Sequence, residues 1–380
     1  MIPLSVPNMS GKEIKYMARA VSDGWVSSGG TAVNGFEVEF ARYCGADTAA
    51  ACQSGTAALH LALLDAGVGA GDLVAAPTLT FIASVNPIRY VGAEPVFMDC
   101  DDWLCIDPDK LECYLREECE MRTDGYTYDI SSDKPLKAVI AVHIFGNAAD
   151  MERITEICKK HNLAVIEDAA EAVGTFFTSG KFSGKMAGTI GDYGAFSFNG
   201  NKIITTGGGG MVTSQSPERA LHMKHLSTQA KTDDVYYTHD EIGYNYRMTN
   251  VQAALGLAQL ERLEEFIGVK HANYNLYKEC GVDLMPFRGG RRSNYWFYSH
   301  PVSDGEYRDG LINHLKSRGI HSRPVWGLCH EQPMYRECKA YRIERAPVYR
   351  ARIVNLPCST NLSADDVRAV ADEIRSFKVK

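Results

Sequence analysis

At 380 residues, with 45% hydrophobic and 23% charged side chains, the chain can bury one large core and a smaller second one, with the composition of an ordinary globular protein. A formal net charge of −7 argues against a general nucleic-acid binder, and no apolar run reaches the roughly 20 residues needed to span a bilayer. The opening stretch Met1–Pro7 has no basic region leading into an apolar one, so we expect a cytoplasmic protein with no membrane partner. The 11 cysteines form no C-x-x-C pair. Cys100/Cys105 and Cys113/Cys119 lack a nearby histidine, so all read as reduced thiols and no metal is expected.

The N-terminal arm closes on Ser10-Gly11-Lys12-Glu13, a cap for a helix over Glu13–Asp23. Gly24–Gly30 reads as a loop and Phe36–Tyr43 as a short helix. Thr48–Cys52 is a small, apolar strand that Gln53-Ser54-Gly55-Thr56 turns into a helix over Ala57–Gly67. A strand, a Gly turn and a helix in that order offer an anion free N–H groups and a positive helix end, although an ordinary capped helix has the same signature. Strands follow over Leu73–Ala76 and Pro95–Asp99, with a helix over Ser84–Val91 between them. Asp99, Asp101 and Asp102 read as turn caps rather than metal ligands. Residues 117–135 are Glu-rich and then Asp/Ser/Lys-rich, as in a surface insertion. Lys137–His143 reads as a buried strand, Met151–His161 as a helix, Leu163–Glu167 as a strand and Gly191–Phe198 as one or two more. This alternation predicts an α/β domain with a mostly parallel sheet. From Glu241 the pattern changes: Met248–Phe266 is one long helix leading into a mixed C-terminal part. There Trp296–Val302 is a strand, Arg308–Gly319 a helix, and Ser363–Phe377 a closing helix capped by Ser363. We therefore expect a large domain over 1–255 and a small one over 256–380.

The chain is organised around Asp192-Tyr193-Gly194-Ala195-Phe196-Ser197-Phe198-Asn199-Gly200-Asn201-Lys202 and the glycine run Gly207-Gly208-Gly209-Gly210 after it. Such a wall lets a flat cofactor approach the backbone, and Lys202 reads as a Schiff-base lysine. Upstream, Ala164-Val165-Ile166-Glu167-Asp168 puts a carboxylate at the carboxyl edge of the sheet, where α/β folds gather ligands. A pyridoxal phosphate enzyme needs such a carboxylate to keep the pyridine nitrogen protonated. Asp168, Lys202 and the Ser54-Gly55-Thr56 turn thus supply a partner each for ring nitrogen, aldehyde carbon and phosphate.

Gln53-Ser54-Gly55-Thr56-Ala57-Ala58-Leu59-His60, Glu167-Asp168-Ala169-Ala170, Ser197–Lys202 and Gly243-Tyr244-Asn245-Tyr246-Arg247-Met248 resemble the DegT/DnrJ/StrS nucleotide-sugar aminotransferases, from Ile2 to the last helix. Gly24-Trp25-Val26-Ser27-Ser28 and the Phe198–Lys202 stretch look closest to the 4-aminotransferases of bacillosamine- and legionaminic-acid-type pathways. The resemblance implies fold type I, pyridoxal phosphate as cofactor with pyridoxamine phosphate in the cycle, and a homodimer with shared active sites. It implies that Lys202 carries the cofactor and shuttles the proton, and that Asp168 pairs with the pyridinium nitrogen. Ser54, Gly55, Thr56 and Ser197 then hold the phosphate with Asn245 reaching over from the partner, and Phe81 stacks on the ring. Glu171 stands where relatives carry Gln or His near the phenolic oxygen; since an ionised acid there repels a phenolate, it is either protonated or turned to the sugar. Arg323 matches a position near the substrate, where a guanidinium grips a diphosphate, although a surface ion pair explains an arginine equally well. Tyr246 and Arg247 follow Asn245 and are candidates for the interface or the substrate, and Trp25 and Ser28 are further substrate-side candidates; His143 and His321 lie near strand ends or turns.

The expected reaction is transfer of an amino group from L-glutamate to a nucleotide-linked 4-keto-6-deoxy sugar, with a UDP-N-acetyl sugar as acceptor. The rivals are a 3-keto sugar aminotransferase, a sugar dehydratase of the same fold, a plain amino-acid transaminase and a non-catalytic sensor. A dehydratase relative replaces the lysine by histidine, so Lys202 speaks against it.

Overall fold

The computed structural model describes residues 1–378. Its centre is an eight-strand path of β1 (Ala49–Cys52), β2 (Leu73–Pro77), β3 (Glu94–Met98), β4 (Lys134–Val142), β5 (Ala164–Asp168), β6 (Tyr193–Ser197), β7 (Gly210–Ser214) and β8 (Ala340–Tyr341). Their spatial order is β1-β7-β6-β5-β4-β2-β3-β8. From β6 to β8 every neighbouring pair is parallel, while β7 runs antiparallel to both β1 and β6. The strands are buried almost throughout, as expected of a sheet covered on both faces by its crossover helices. This is the expected α/β architecture.

The helix Gly55–Asp65 shows how sequence places an element. Its segment GTAALHLALLD is apolar all round, so it has no solvent face and sinks against the sheet. Ser54 caps it, its hydroxyl accepting from the Ala57 N–H, and the first turn therefore points at the carboxyl edge of the sheet.

Three expectations change in detail. Residues 117–135, expected as a surface insertion, have regular structure: a helix runs over Pro108–Glu118, and a hairpin of Cys119–Met121 with Thr127–Asp129 adds antiparallel strands beside β4. Asp129 anchors it, fully buried, accepting from the Tyr114 hydroxyl at 2.8 Å and from Lys339. The helix expected over Met248–Phe266 is two, Asn250–Leu260 and Leu263–Glu279, broken where Arg262 leaves helical geometry. Phe36–Tyr43 is part of a longer helix, Thr31–Cys44. Near the C-terminus, Tyr298–Pro301, Arg323–Pro324 and Ile353–Leu356 form a three-stranded antiparallel sheet, and Ser363 caps Ala364–Ser376 with a capping box. Two of the three turn acids cap: Asp101 accepts from the Trp103 and Cys105 N–H groups, and Asp99 from those of Glu344, Arg345 and Ala346, whereas Asp102 accepts from the Tyr349 hydroxyl at 3.2 Å. Among the described residues no helix is long and apolar enough to cross a membrane.

Candidate active site

A cavity of about 770 Å³ opens at the carboxyl edge of β5 and β6. The Ser54-Gly55-Thr56 turn, Phe81, Asp168, Glu171, Ser197, Lys202 and Arg323 all line it, together with the N-terminal arm at Pro3–Val6. Residues scattered over some three hundred positions thus meet at one place because strand ends and helix starts share that edge.

Asp168 ends β5 and is buried. One carboxyl oxygen accepts from the Ser84 hydroxyl at 2.6 Å and the other from the Ala170 N–H at 3.0 Å. Ser84 is itself within 2.9 Å of the Thr80 hydroxyl. Donors on both oxygens fix the carboxyl group in place at the cavity wall.

Lys202 follows β6, its backbone N–H donating to the Asn199 carbonyl at 3.0 Å. Its ammonium lies 4.2 Å from the centre of the Trp296 ring and 3.6 Å from Glu171 Oε1. Trp296 is buried and held by its indole N–H, which donates to the Asn201 carbonyl. The amine is therefore aimed, not free to sweep: an aromatic floor on one side and an acid on another leave it the cavity.

The phosphate turn is built by close approach. A Cβ on Gly55 would come within 2.9 Å of the Ser197 Cβ, and one on Gly210 within 2.4 Å of the Ser54 backbone. Only glycines let β7, Ser197 and the helix start converge, leaving the first-turn N–H groups and the Ser54, Thr56 and Ser197 hydroxyls on one wall. The donor set, the aimed lysine and the fixed carboxylate fit pyridoxal phosphate. When bound, that cofactor supplies an aldehyde that takes up an amine and a ring that accepts electrons. The residues that would hold it are Lys202 at the aldehyde, Asp168 at the ring nitrogen and the Ser54-Gly55-Thr56 turn with Ser197 at the phosphate.

Other candidates lie elsewhere. Arg247 is buried and committed to Glu37, which also receives Lys224 at 2.8 Å; this places its guanidinium outside the cavity of its own chain. The Tyr246 hydroxyl meets His60 Nδ1 at 3.1 Å, and its carbonyl accepts from the Gln53 N–H, tying this segment to the phosphate turn. Asn245 is exposed, and so are Trp25 and Ser28, with the Trp25 carbonyl held by Asn250 at 2.6 Å. None of these five lines the cavity. His143 is sealed below it against Glu167 at 2.8 Å, whereas His321 does reach the wall. Sequence reasoning missed Ser84, Trp296, Trp326 and the arm. Ser84 follows Phe81 closely enough to have been a candidate; Trp296 carries no local signal at all.

A mostly parallel α/β fold with this lysine, carboxylate and phosphate turn on one cavity is that of a pyridoxal-phosphate-dependent aminotransferase of fold type I. The chain belongs to the DegT/DnrJ/EryC1/StrS aminotransferase family, whose model matches residues 7–375, and it is a sugar aminotransferase. It is 39% identical over 382 residues to the GDP-perosamine synthase of Escherichia coli O157:H7, covering 99% of this chain and 98% of that one. It is 31% identical to the dTDP-4-dehydro-2,3,6-trideoxy-D-glucose 4-aminotransferase of Saccharopolyspora spinosa, over 99% of this chain and 96% of that one. The crystal structure of a DegT DnrJ EryC1 StrS aminotransferase from Brucella abortus matches with a TM-score of 0.87 at 29% identity, over 97% and 96% of the two chains.

Proposed function

We propose that this enzyme moves the amino group of L-glutamate onto the 4-keto carbon of a nucleotide-linked 6-deoxy sugar. The observation that carries it is that one cavity of about 770 Å³ is lined by Lys202, Asp168 and the phosphate turn together with Phe81, Trp326 and Arg323. Such a volume is toward the upper end of the roughly 300–1,000 Å³ typical of ligand sites, with room for a substrate beside the cofactor. Lys202 holds the cofactor and carries the proton; Asp168 faces the ring nitrogen; Ser54, Gly55, Thr56 and Ser197 take the phosphate. Phe81, half exposed and 5.8 Å from the Trp326 ring, offers its face to the cofactor, and Arg323 its charge to the nucleotide diphosphate.

The relatives bear on the acceptor. One name specifies a 4-dehydro sugar and a 4-aminotransferase, which supports the 4-position, and the GDP-perosamine synthase name favours a GDP-linked acceptor over the UDP-N-acetyl sugar expected from sequence. Our reading also includes a homodimer in which Asn245 of the partner subunit completes the phosphate cradle. The exposed Val235, Tyr236, Tyr237 and Ile242, in the segment just before Asn245, support it. Residues 1–255 would then carry the cofactor and 256–380 cover it.

The first test is the absorption spectrum of the purified protein with pyridoxal phosphate. A band near the visible edge that moves to shorter wavelength on adding L-glutamate, and that Lys202→Ala does not form, is the expected result. GDP-, dTDP- and UDP-linked 4-keto-6-deoxy sugars are then offered in turn, with the amino product identified by mass and NMR spectroscopy. A protein that stays colourless with the cofactor supplied overturns the reading.

A further inference from the structure

Among the described residues, Glu171 is the one acid that pairs with the lysine. Its carboxyl is buried, and its Oε2 accepts the Phe145 N–H at 2.8 Å. Phe145 adopts a positive φ of 57°, a conformation unfavourable for a non-glycine residue, and this turn aims its N–H at the acid. With Oε2 held by the backbone, Oε1 is left facing Lys202 at 3.6 Å.

We propose, building on the function above, that Glu171 is the proton store of Lys202: it takes the ammonium proton when the amine must be free and returns it when the lysine must act as an acid. The step is balanced within the pair. The N–H bond of the ammonium breaks, an O–H bond forms on the carboxylate, and a charged pair becomes a neutral one with no further reactant. A fixed backbone donor keeps the acid in reach throughout, and the neutral pair is the form that a water-poor cavity tolerates best.

The surroundings set the balance. Burial raises the Glu171 pKa, Lys202 and the Phe145 N–H lower it, and Asp168 raises it, leaving it at about 7. Cys105 is the other titratable group facing it, and burial keeps that thiol protonated. An acid ionised far below neutrality would hold the proton on the lysine as a plain ion pair. The poise also answers which state the acid takes: it is protonated when a negative oxygen comes near.

The test compares wild type with Glu171→Gln, which keeps an acceptor for the Phe145 N–H but cannot hold a proton. In the cofactor-free protein, infrared difference spectra should contain a protonated-carboxyl band that titrates near neutrality and is missing from the variant. Asp101, with its pKa pushed up to about 6 by burial, should give a band that both share. Acetylation of Lys202 by acetic anhydride, read by peptide mass spectrometry against pH, should show an inflection in the same range that Glu171→Gln lacks and that Glu171→Asp keeps at a shifted pH. Identical infrared bands, or identical Lys202 profiles in proteins with equal melting temperatures, overturn the proposal. Should Glu171→Gln not fold, Glu171→Asp against wild type decides: its inflection must shift with the altered carboxyl, and an unmoved profile overturns the proposal. The two readings fail separately. If added pyridoxal phosphate forms its absorption band with the same pH dependence in both proteins, the proton store falls and the aminotransferase stands. If no band forms in wild type, the function itself falls.

Discussion

Two lysines touch Trp296, Lys202 half-buried at its ring and Lys270 fully buried at its carbonyl, and only one of them is built to react. Lys202 has its ammonium over the indole ring, an acid 3.6 Å away and a cavity in front. Lys270 lies behind the same residue, only 2% exposed, donating to the Trp296 carbonyl at 3.1 Å and the Cys358 carbonyl at 2.5 Å. Burial lowers its pKa, yet it opens on nothing. Desolvation alone therefore does not make a catalytic amine. Access and a nearby group that exchanges its proton do.

The largest expected effect breaks the reactive half of that comparison. Lys202→Ala should lower turnover by at least about 10⁴-fold, the upper end for losing an acid–base group, because the covalent anchor goes with it. Coupled assay of the amino sugar and the cofactor spectrum both report it. Its melting temperature should hardly move, since Lys202 makes no hydrogen bond that the fold depends on.

Lys270→Met tests the other half and should do the reverse. It strands two buried carbonyls at about 1–3 kcal/mol each, partly offset by removing a desolvated amine, for a net loss of about 3 kcal/mol in denaturant melts. The lowered pKa also gives a sign. Below the folded value both states hold the proton; above it the folded state has released its proton while the unfolded chain keeps it up to about 10.4, so stability rises with pH across that window. The Met variant should lack that rise. Turnover should fall only as far as Trp296 shifts beneath Lys202.

Glu171 should show the opposite slope. The folded state keeps its proton up to a pKa of about 7, while the unfolded chain loses it near 4.3. The folded state thus binds more protons in between, and stability falls as pH rises from about 4.3 through 7, by at most about 4 kcal/mol. Glu171→Gln should flatten that stretch of a stability–pH profile. Equal slopes in wild type and variant would place the acid outside the pair it forms with Lys202.

What the sequence revealed of this comparison follows from locality. Asp168, Lys202 and the Ser54–Thr56 turn were legible because each sits in a short run whose composition already implies a strand end or a turn. The Glu171–Phe145 contact was not, since it depends on a left-handed φ at a phenylalanine that no propensity predicts. Nor was Trp296, brought under the lysine by Lys270 and the Asn201 carbonyl, both distant in sequence. The break at Arg262 had no signal because Glu261-Arg262-Leu263-Glu264 are good helix formers. Tertiary contacts decide it: Lys12 and Tyr16 hold Glu261, and Ser10 receives the Arg262 guanidinium. The motif left Arg247 open between the interface and the substrate, and its pairing with Glu37, a residue far away in sequence, decides where it points.

The smallest effect sharpens the cavity side. Phe81 is 48% exposed and packs at a tilt against Trp326, whose ring lies 5.0 Å from that of Phe145. This aromatic run connects the ring-stacking face to the turn that holds Glu171, so it contributes contact area rather than charge. Phe81→Leu keeps much of the apolar area but loses the flat face, a difference of about 0.5–1.5 kcal/mol for an aromatic pair. A rise of up to about tenfold in the Kd for pyridoxal phosphate, with the Lys202 acetylation profile unchanged, is the expected outcome of a spectrophotometric titration. A shifted profile would mean that the aromatic run helps to set the proton balance at Lys202, and the division between a stacking side and a proton-holding side would have to be redrawn.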